Sequence, residues 1–353
     1  MVKYVDDRKK SILIAIIHEH ILTAEPVGSR TLAKSYKLGV SSATIRNEMS
    51  DLEELGFIEQ PYTSAGRVPS DKGYRFYVDS LINEDDHNNN SDFKVDFKEL
   101  RENIQFKKQG IQNIMTHMAR MLSQVTHYTS VVCGPQMQTT RIKQLQLMQI
   151  DNKSALFILI TDTGLVHNKV VKLKTTIDRK QLSYLNDFFS DKLRDKQLTE
   201  VNEKYLKELE KELVYKIDIS HDLLEIIYNG LTLVSKPDDF KFYLGGTSYI
   251  LDQPEFSDID TVKRVLKILD HEEILKDLFA KMPNKELEVM IGQENDLEDM
   301  HKCSIVFATY NMGVKASGKI AVIGPTRMEY PRVMASVNTM SSLLSKIISE
   351  LSG

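Results

Sequence analysis

A multi-domain α+β chain is predicted, and three observations carry that expectation. At 353 residues the chain is too long for a single core, since domains run to roughly 100–200 residues. The apolar period is helical near the N-terminus and becomes two from Arg141 onward. Between these regimes lies "NEDDHNNNSD", Asn83 to Asp92, a run without an apolar residue that could extend to roughly 33 Å and reads as a linker.

Composition narrows the class. Apolar residues at 41% and charged residues at 27% exclude wholesale disorder and collagenous or low-complexity filaments. The aliphatic run from Ile12 to Ile17 is far short of the ~20 residues of a membrane span, which points to a cytoplasmic chain. Two cysteines, Cys133 and Cys303, stand in apolar surroundings, against a disulfide scaffold or zinc cluster. The net charge of −4 and pI near 6.2 offer no global attraction to nucleic acid.

Position reverses that last inference. Residues 1–82 hold 11 Lys+Arg against 11 Asp+Glu, but between Pro26 and Asn47 Arg30, Lys34, Lys37 and Arg46 meet no acidic residue. Glu48, Asp51, Glu53 and Glu54 follow. The segment "VGSRTLAKSYKLGVSSATIRNEMSDLEELGFI" predicts two helices three or four residues apart. Ser29 caps the first through Tyr36; Ser41 caps the second, which ends at Leu55 with Gly56 in the left-handed position. Ile45, Met49, Leu52 and Leu55 share one face of the second helix, leaving Ser42, Ala43, Thr44, Arg46 and Asn47 outward. A helix-turn-helix sets such positions against base edges in the major groove. "EQPYTSAGRVPS" then reads as a β-hairpin wing with Arg67 at its tip, followed by a Ser70-capped helix whose apolar face is Tyr74, Tyr77, Val78 and Leu81, with Lys72 and Arg75 near its start. With a first helix around Ile12, Leu13, Ile16, Ile17 and Ile21, a winged helix-turn-helix is complete.

Beyond the linker, Phe97, Leu100, Ile104, Ile111, Ile114, Met118, Met121 and Val125 form a helical seam. It suits either a helix lying on its own sheet or a dimer seam. "IKQLQLMQI", "ALFILIT" and "GLVHNKVVKLK" predict an antiparallel meander. Charged helical segments from Thr176 to Pro237 read as an insertion. A strand at "FKFYLGGTSYIL", a helix at "DIDTVKRVLKILDHEEILKDLF", strands at Leu287–Ile291, Cys303–Tyr310 and Lys319–Ile323, and a helix from Arg332 to Leu351 complete the α+β half.

Other signals carry less. "GVKASGKI", Gly313 to Ile320, has phosphate-loop spacing but ends in Ile320 where Ser or Thr must hold magnesium; it reads as a hairpin turn with an exposed Lys319. The nine histidines are scattered, and no nucleophile elbow, HExxH or paired-carboxylate frame indicates an enzyme or a cofactor.

"LTAEPVGSRTLAKSYKLGVSSATIRNEMSDLEELGFIEQPYTSAGRVPSDKGYRFYVDSL", with "LGGTSYIL", "PEFSD" and "GKIAVIGPTRMEYPRVMASV", resembles the HrcA family of heat-inducible transcription repressors over nearly the whole chain, most loosely at residues 177–236. The resemblance implies a winged helix-turn-helix, a GAF-like α+β domain and a dimerisation domain inserted in it. The expected division is 1–82 for DNA binding, 83–92 linker, 93–175 and 238–353 GAF-like, and 176–237 inserted. It further implies a homodimer on double-stranded DNA bearing an inverted repeat, the CIRCE operator of chaperone operons, with the chaperonin GroEL promoting activity and heat relieving repression. The alternative is a winged-helix repressor controlled by a small molecule in the GAF-like domain.

On this reading Ser42, Thr44, Arg46 and Asn47 read bases, Arg suiting guanine and Asn adenine. Ser29, Arg30, Lys34, Ser41, Arg67 and Lys72 hold phosphates.

Overall fold

The computed structural model describes residues 6–85, 111–134, 141–152, 154–162, 166–172, 178–197, 200–216, 241–312 and 316–352. It is a mixed α+β structure. In the N-terminal unit, α1 (Asp7–Thr23), α2 (Ser29–Ser35) and α3 (Ser42–Glu54) precede β1 (Ile58–Glu59), β2 (Val68–Pro69) and α4 (Asp71–Asp85). β1 and β2 pair antiparallel, Ile58 opposite Pro69 and Glu59 opposite Val68. The unit's core is Ile12, Leu13, Ile16 and Ile17 of α1 packed with Leu32, Ile45, Met49, Leu52, Ile58 and Val78. α4 reaches Asp85, so the expected linker begins inside a helix.

A second unit is built on a five-stranded antiparallel sheet of order β7-β3-β10-β9-β8. Its strands are β3 (Thr129–Cys133), β7 (Phe242–Gly245), β8 (Glu288–Ile291), β9 (Cys303–Met312) and β10 (Ala316–Pro325). Period-two alternation gives each face a helix layer. Val132, Val306, Ala308, Ile320 and Val322 face α5 (Ile111–Thr126) and α10 (Tyr330–Ser352). Val131, Cys133, Ile305, Phe307, Ala321 and Ile323 face α8 (Ile259–Asp270) and α9 (Glu272–Lys281). Of the expected helical seam, Ile111, Ile114, Met118 and Met121 pack into this core and Val125 is half-buried; Phe97, Leu100 and Ile104 lie outside the described residues.

A third sheet stands apart. β4 (Ile142–Asp151), β5 (Ser154–Thr161) and β6 (Val166–Lys172) form the expected antiparallel meander. Its partners differ from the expected division at residue 176. Leu145, Leu147, Phe157, Leu159 and Val171 share a core with Leu185, Phe188, Phe189 and Leu193 of α6 (Arg179–Leu193) and Leu206, Leu209 and Leu213 of α7 (Glu203–Lys216). Strands expected to belong with residues 93–175 therefore pack with the helices that follow them. β3 has β7 and β10 on its two sides, so the meander that follows it in the chain does not pair with it and forms a sheet of its own. The stems of this unit lie side by side, the Gly134 N–H donating to the Lys241 carbonyl at 2.9 Å. Of the charged helical segments expected from Thr176 to Pro237, the part beyond Lys216 lies outside the described residues.

Three local expectations change. The strand through "FKFYLGGTSYIL" stops at Gly245, because Gly246 is left-handed at φ 63° and a 3-10 turn, Thr247–Ile250, follows. The long helix after Asp258 divides at His271, where the backbone is extended. Lys319 is inside β10, not in an exposed turn. It is 6% exposed, and its ammonium donates to the Phe279 carbonyl at 2.7 Å and to that of Met282, closing the C-terminus of α9. Cationic capping of orphan helix carbonyls explains its burial.

α1 and α4 are joined by polar contacts as well as core. His20 Nδ1 lies 2.8 Å from the Tyr74 hydroxyl. Burial, and then the charge of Arg327, push the His20 imidazole down to about 4 against a weaker opposing effect of Glu255. Folded His20 is thus neutral where the unfolded residue titrates near 6.5. The resulting stability is fully present above about pH 6.5 and is lost as pH falls toward about 4, since the unfolded chain takes up the proton first. Urea midpoints across that window should decline for the native chain and decline less steeply for His20→Asn; parallel curves would remove His20 from the account.

Candidate nucleic-acid interface

α3 is divided along its length. At its N-terminus the Ser41 hydroxyl accepts the Thr44 N–H at 3.1 Å, the expected cap. Ile45, Met49 and Leu52 are buried while Arg46 and Asn47 are exposed, and Ser42 and Thr44 are half-buried. Ser41 Oγ also lies 3.0 Å from Thr44 Oγ1, so these two hydroxyls organise one another at the exposed end. α2 packs on α3 and carries Arg30 and Lys34, both exposed. Among the described residues Arg30, Lys34, Lys37 and Arg46 have no ion-pair partner.

The second half of α3 is acidic and neutralised from behind. Lys9 of α1 reaches Glu48 at 2.9 Å and Asp51 at 3.1 Å, and Arg8 reaches Glu48 at 3.5 Å. Hydrogen bonding to Glu48 and then Asp51 holds the Lys9 ammonium well above its ordinary range. Thirteen residues at about 1.5 Å each make α3 about 20 Å long. Over that length the exposed charge changes from unopposed cation to paired anion. Lys9 was not anticipated from sequence, because its partners lie about forty residues away; its place on the polar face of an amphipathic helix was the available signal.

Three of the expected site residues are placed differently from the sequence reading. Arg67 is not at the tip of the connection between β1 and β2. Its guanidinium bonds Glu53 of α3 at 2.7 and 2.9 Å, and its backbone pairs with Val27 in both directions at 2.8 and 2.9 Å. It ties the base of the loop to α3 and to the segment before α2. Gly66 permits the approach, since a Cβ there would stand 2.4 Å from the Val27 carbonyl oxygen. Lys72 likewise points to the far end of α3, donating to the Leu55 carbonyl at 2.7 Å and lying 4.6 Å above the Phe57 ring. Ser29 is also shifted: Gly28 occupies the cap position, and Ser29 is the first residue of α2. The exposed part of the loop is Pro61 to Ser64, with Tyr62 61% exposed. Gln60 holds its shape, its amide donating to the carbonyls of Thr63 at 3.0 Å and Ala65 at 3.1 Å. α2 and α3 are separated by six residues, 36–41, because α2 ends at Ser35.

The geometry can bind a polyanion at one end of α3 and has little else to offer. Among the described residues no group of three His, Cys, Asp or Glu could hold a metal ion, and no helix is long and apolar enough to cross a membrane. Cys133 and Cys303 are buried, and burial pushes both thiols up to about 12, which leaves them as unreactive core groups.

Residues 112–334 match the family model described as HrcA protein C terminal domain. A protein named heat-inducible transcription repressor HrcA in Pelotomaculum thermopropionicum is 40% identical over 98% of this chain and 97% of its own. That of Symbiobacterium thermophilum is 42% identical over 97% and 98%. The chain belongs to the HrcA family. The likeness to full-length family members includes the N-terminal unit, which the C-terminal family model leaves out. A crystal structure described as a hypothetical protein at 2.2 Å resolution covers 99% of this chain and all of that one, with a TM-score of 0.66 at 21% identity; the two share a fold.

Loss of the α3 cap tests the local architecture. Ser41→Ala should cost about 1 kcal/mol in chemical unfolding, and Ser41→Asn, which can still accept the Thr44 N–H, should cost far less. Equal losses would indicate that the hydroxyl acts otherwise than as a cap.

Proposed function

We propose that the chain is a heat-inducible transcription repressor that binds an inverted-repeat operator of the CIRCE type as a homodimer in the cytoplasm. The N-terminal unit is read as a winged helix-turn-helix and the second unit as a GAF-like domain carrying an inserted dimerisation unit. One observation carries the DNA reading: the exposed end of α3 presents Arg46 and Asn47 with unpaired cations around it, while its acidic half is engaged by Lys9 and Arg67. The names of the family relatives support regulation of transcription by heat. Control by GroEL rests on the family resemblance.

In this reading Arg46 and Asn47 reach base edges, with Ser42 and Thr44 at the helix start. Arg30 and Lys34 neutralise phosphates. The wing contact passes from Arg67, which is engaged with Glu53, to the exposed loop at Tyr62, Thr63 and Ser64. In a fluorescence titration Arg46→Ala should lower the preference for inverted-repeat over scrambled duplex by about 1–3 kcal/mol. Arg30→Ala should weaken both and flatten the salt dependence, and Arg67→Ala should leave that slope nearly unchanged. An Arg46→Ala chain with native preference would overturn the base-reading assignment.

The inserted unit supplies a surface for the second copy. One face of its sheet covers α6 and α7; the other carries the cross-strand row Met148–Leu156–Val170 and, beyond the row Gln146–Ile158–Asn168, the pair Ile160–Val166. Met148, Val166 and Val170 are 48%, 49% and 57% exposed. An apolar row at register across three strands suits a self-complementary two-fold contact. Sedimentation of Val170→Asp should shift the chain toward monomer without unfolding it, whereas a dimer of native stability would exclude this face.

A further inference from the structure

Two arginines and one aspartate fasten the N-terminal unit to the second unit at separate places. At the start of α4, the Arg75 guanidinium bonds both carboxylate oxygens of Glu294, the Nε contact being 2.7 Å, and donates to the Val289 carbonyl at 2.6 Å. One turn earlier Asp71 accepts the Gln293 N–H at 3.0 Å. The receiving backbone is shaped for that carboxylate: Gly292 is left-handed at φ 52°, and a Cβ there would lie 2.1–2.4 Å from the Asp71 carboxyl atoms. The second fastening is at the end of α1. Arg327, whose side chain is 11% exposed, donates to the Ile21 carbonyl at 2.6 Å while bonding Glu255 at 2.5 Å. Between the two fastenings the Tyr330 ring of α10 meets those of Tyr74 and Tyr77, centroids 5.9 and 6.5 Å apart.

We propose that Arg75, Asp71 and Arg327 are positioning residues for operator binding, clamping the N-terminal unit so that the recognition helices of a dimer are held at one separation and angle. The inference rests on the DNA-binding dimer above. One contact between two bodies leaves them free to swivel; two separated contacts flanking an apolar junction remove that freedom. The acceptors of Arg75 and Arg327 come from both units, so separation would strip partly buried cations of partners. Two half-sites on one duplex are engaged together only if the second α3 arrives in register, and the effective concentration of that second contact depends on the stiffness of the connection. A loosened clamp lowers affinity for a complete inverted repeat and leaves affinity for a single half-site unchanged.

The test uses the full chain with three labelled duplexes: a CIRCE inverted repeat, a single half-site and a scrambled sequence. Glu294→Gln keeps an acceptor for the Ile291 N–H, 2.8 Å away in the native chain, while removing the charge facing Arg75. Gly292→Ala displaces Asp71 by a separate route. Both should bind the inverted repeat about tenfold more weakly, keep native half-site affinity and show faster amide exchange at Gln293. The charge exchange Arg75→Glu with Glu294→Arg should recover part of the loss. Arg264→Ala, which removes a surface pair with Asp299 inside the second unit, should change none of these. Native or tighter inverted-repeat binding despite faster Gln293 exchange would overturn the clamp, as would equal weakening on the half-site. A native chain that does not distinguish the inverted repeat from the scrambled duplex would instead overturn the DNA reading, and that appears before any variant is made.

Discussion

The structure depends on α4 belonging to two cores at once. Its Tyr74 and Tyr77 are nearly fully buried, hydrogen-bonded toward α1 through His20 and His18 and packed against Tyr330 of the second unit. Tyr330 in turn is held by Ser304 of β9 at 2.8 Å and by the Thr326 carbonyl at 2.7 Å. Three aromatic rings therefore connect the first helix of the chain to the central sheet. Each ring offers an apolar body to the junction and a hydroxyl to a defined partner, so the junction is satisfied as well as packed. A purely aliphatic contact would bury area without specifying rotation.

That junction makes the charge pattern of α3 consequential. A helix with Arg46 near one end and Glu48, Asp51, Glu53 and Glu54 toward the other would repel phosphates if it lay flat along a duplex. Lys9, Arg8 and Arg67 cancel most of the acidic half with cations supplied from behind or beside it. The N-terminal end, where the helix dipole is positive, is left to face an anion. Bulk charge describes none of this, because the N-terminal 82 residues are neutral overall and the net −4 of the chain lies beyond them.

What could be read in the sequence was local. The Ser41 cap, the left-handed Gly56, the buried stripe of Ile45, Met49 and Leu52, and the meander from residue 142 depend on neighbours within a few positions, and all are present. The partners of Arg67, Lys72 and Lys319 were not legible for one shared reason. Each is a cation that ends on an acceptor 14–40 residues away, and composition cannot distinguish a cation destined for phosphate from one capping a helix or closing a loop. The core shared by β4–β6 with α6 and α7 crosses the expected boundary at residue 176, because a change of period marks the end of a strand and says nothing about which sheet that strand joins.

That unit has one place of departure from the rest of the fold. It leaves the main sheet after β3 and returns into β7, and these neighbouring antiparallel strands pair Ser130 with Gly245 and Cys133 with Phe242. This pairing holds the points of departure and return side by side. From Gly134 and Lys241, hydrogen-bonded where the chain leaves and rejoins the main sheet, contacts run along β3, across β10 to β9, and by Ser304 and Tyr330 to α4. Every step is a strand ladder, a hydrogen bond or a ring contact. The place where that unit leaves the main sheet is therefore joined to the base of the N-terminal unit by these contacts, and the Arg75 and Arg327 fastenings are the last step in that connection.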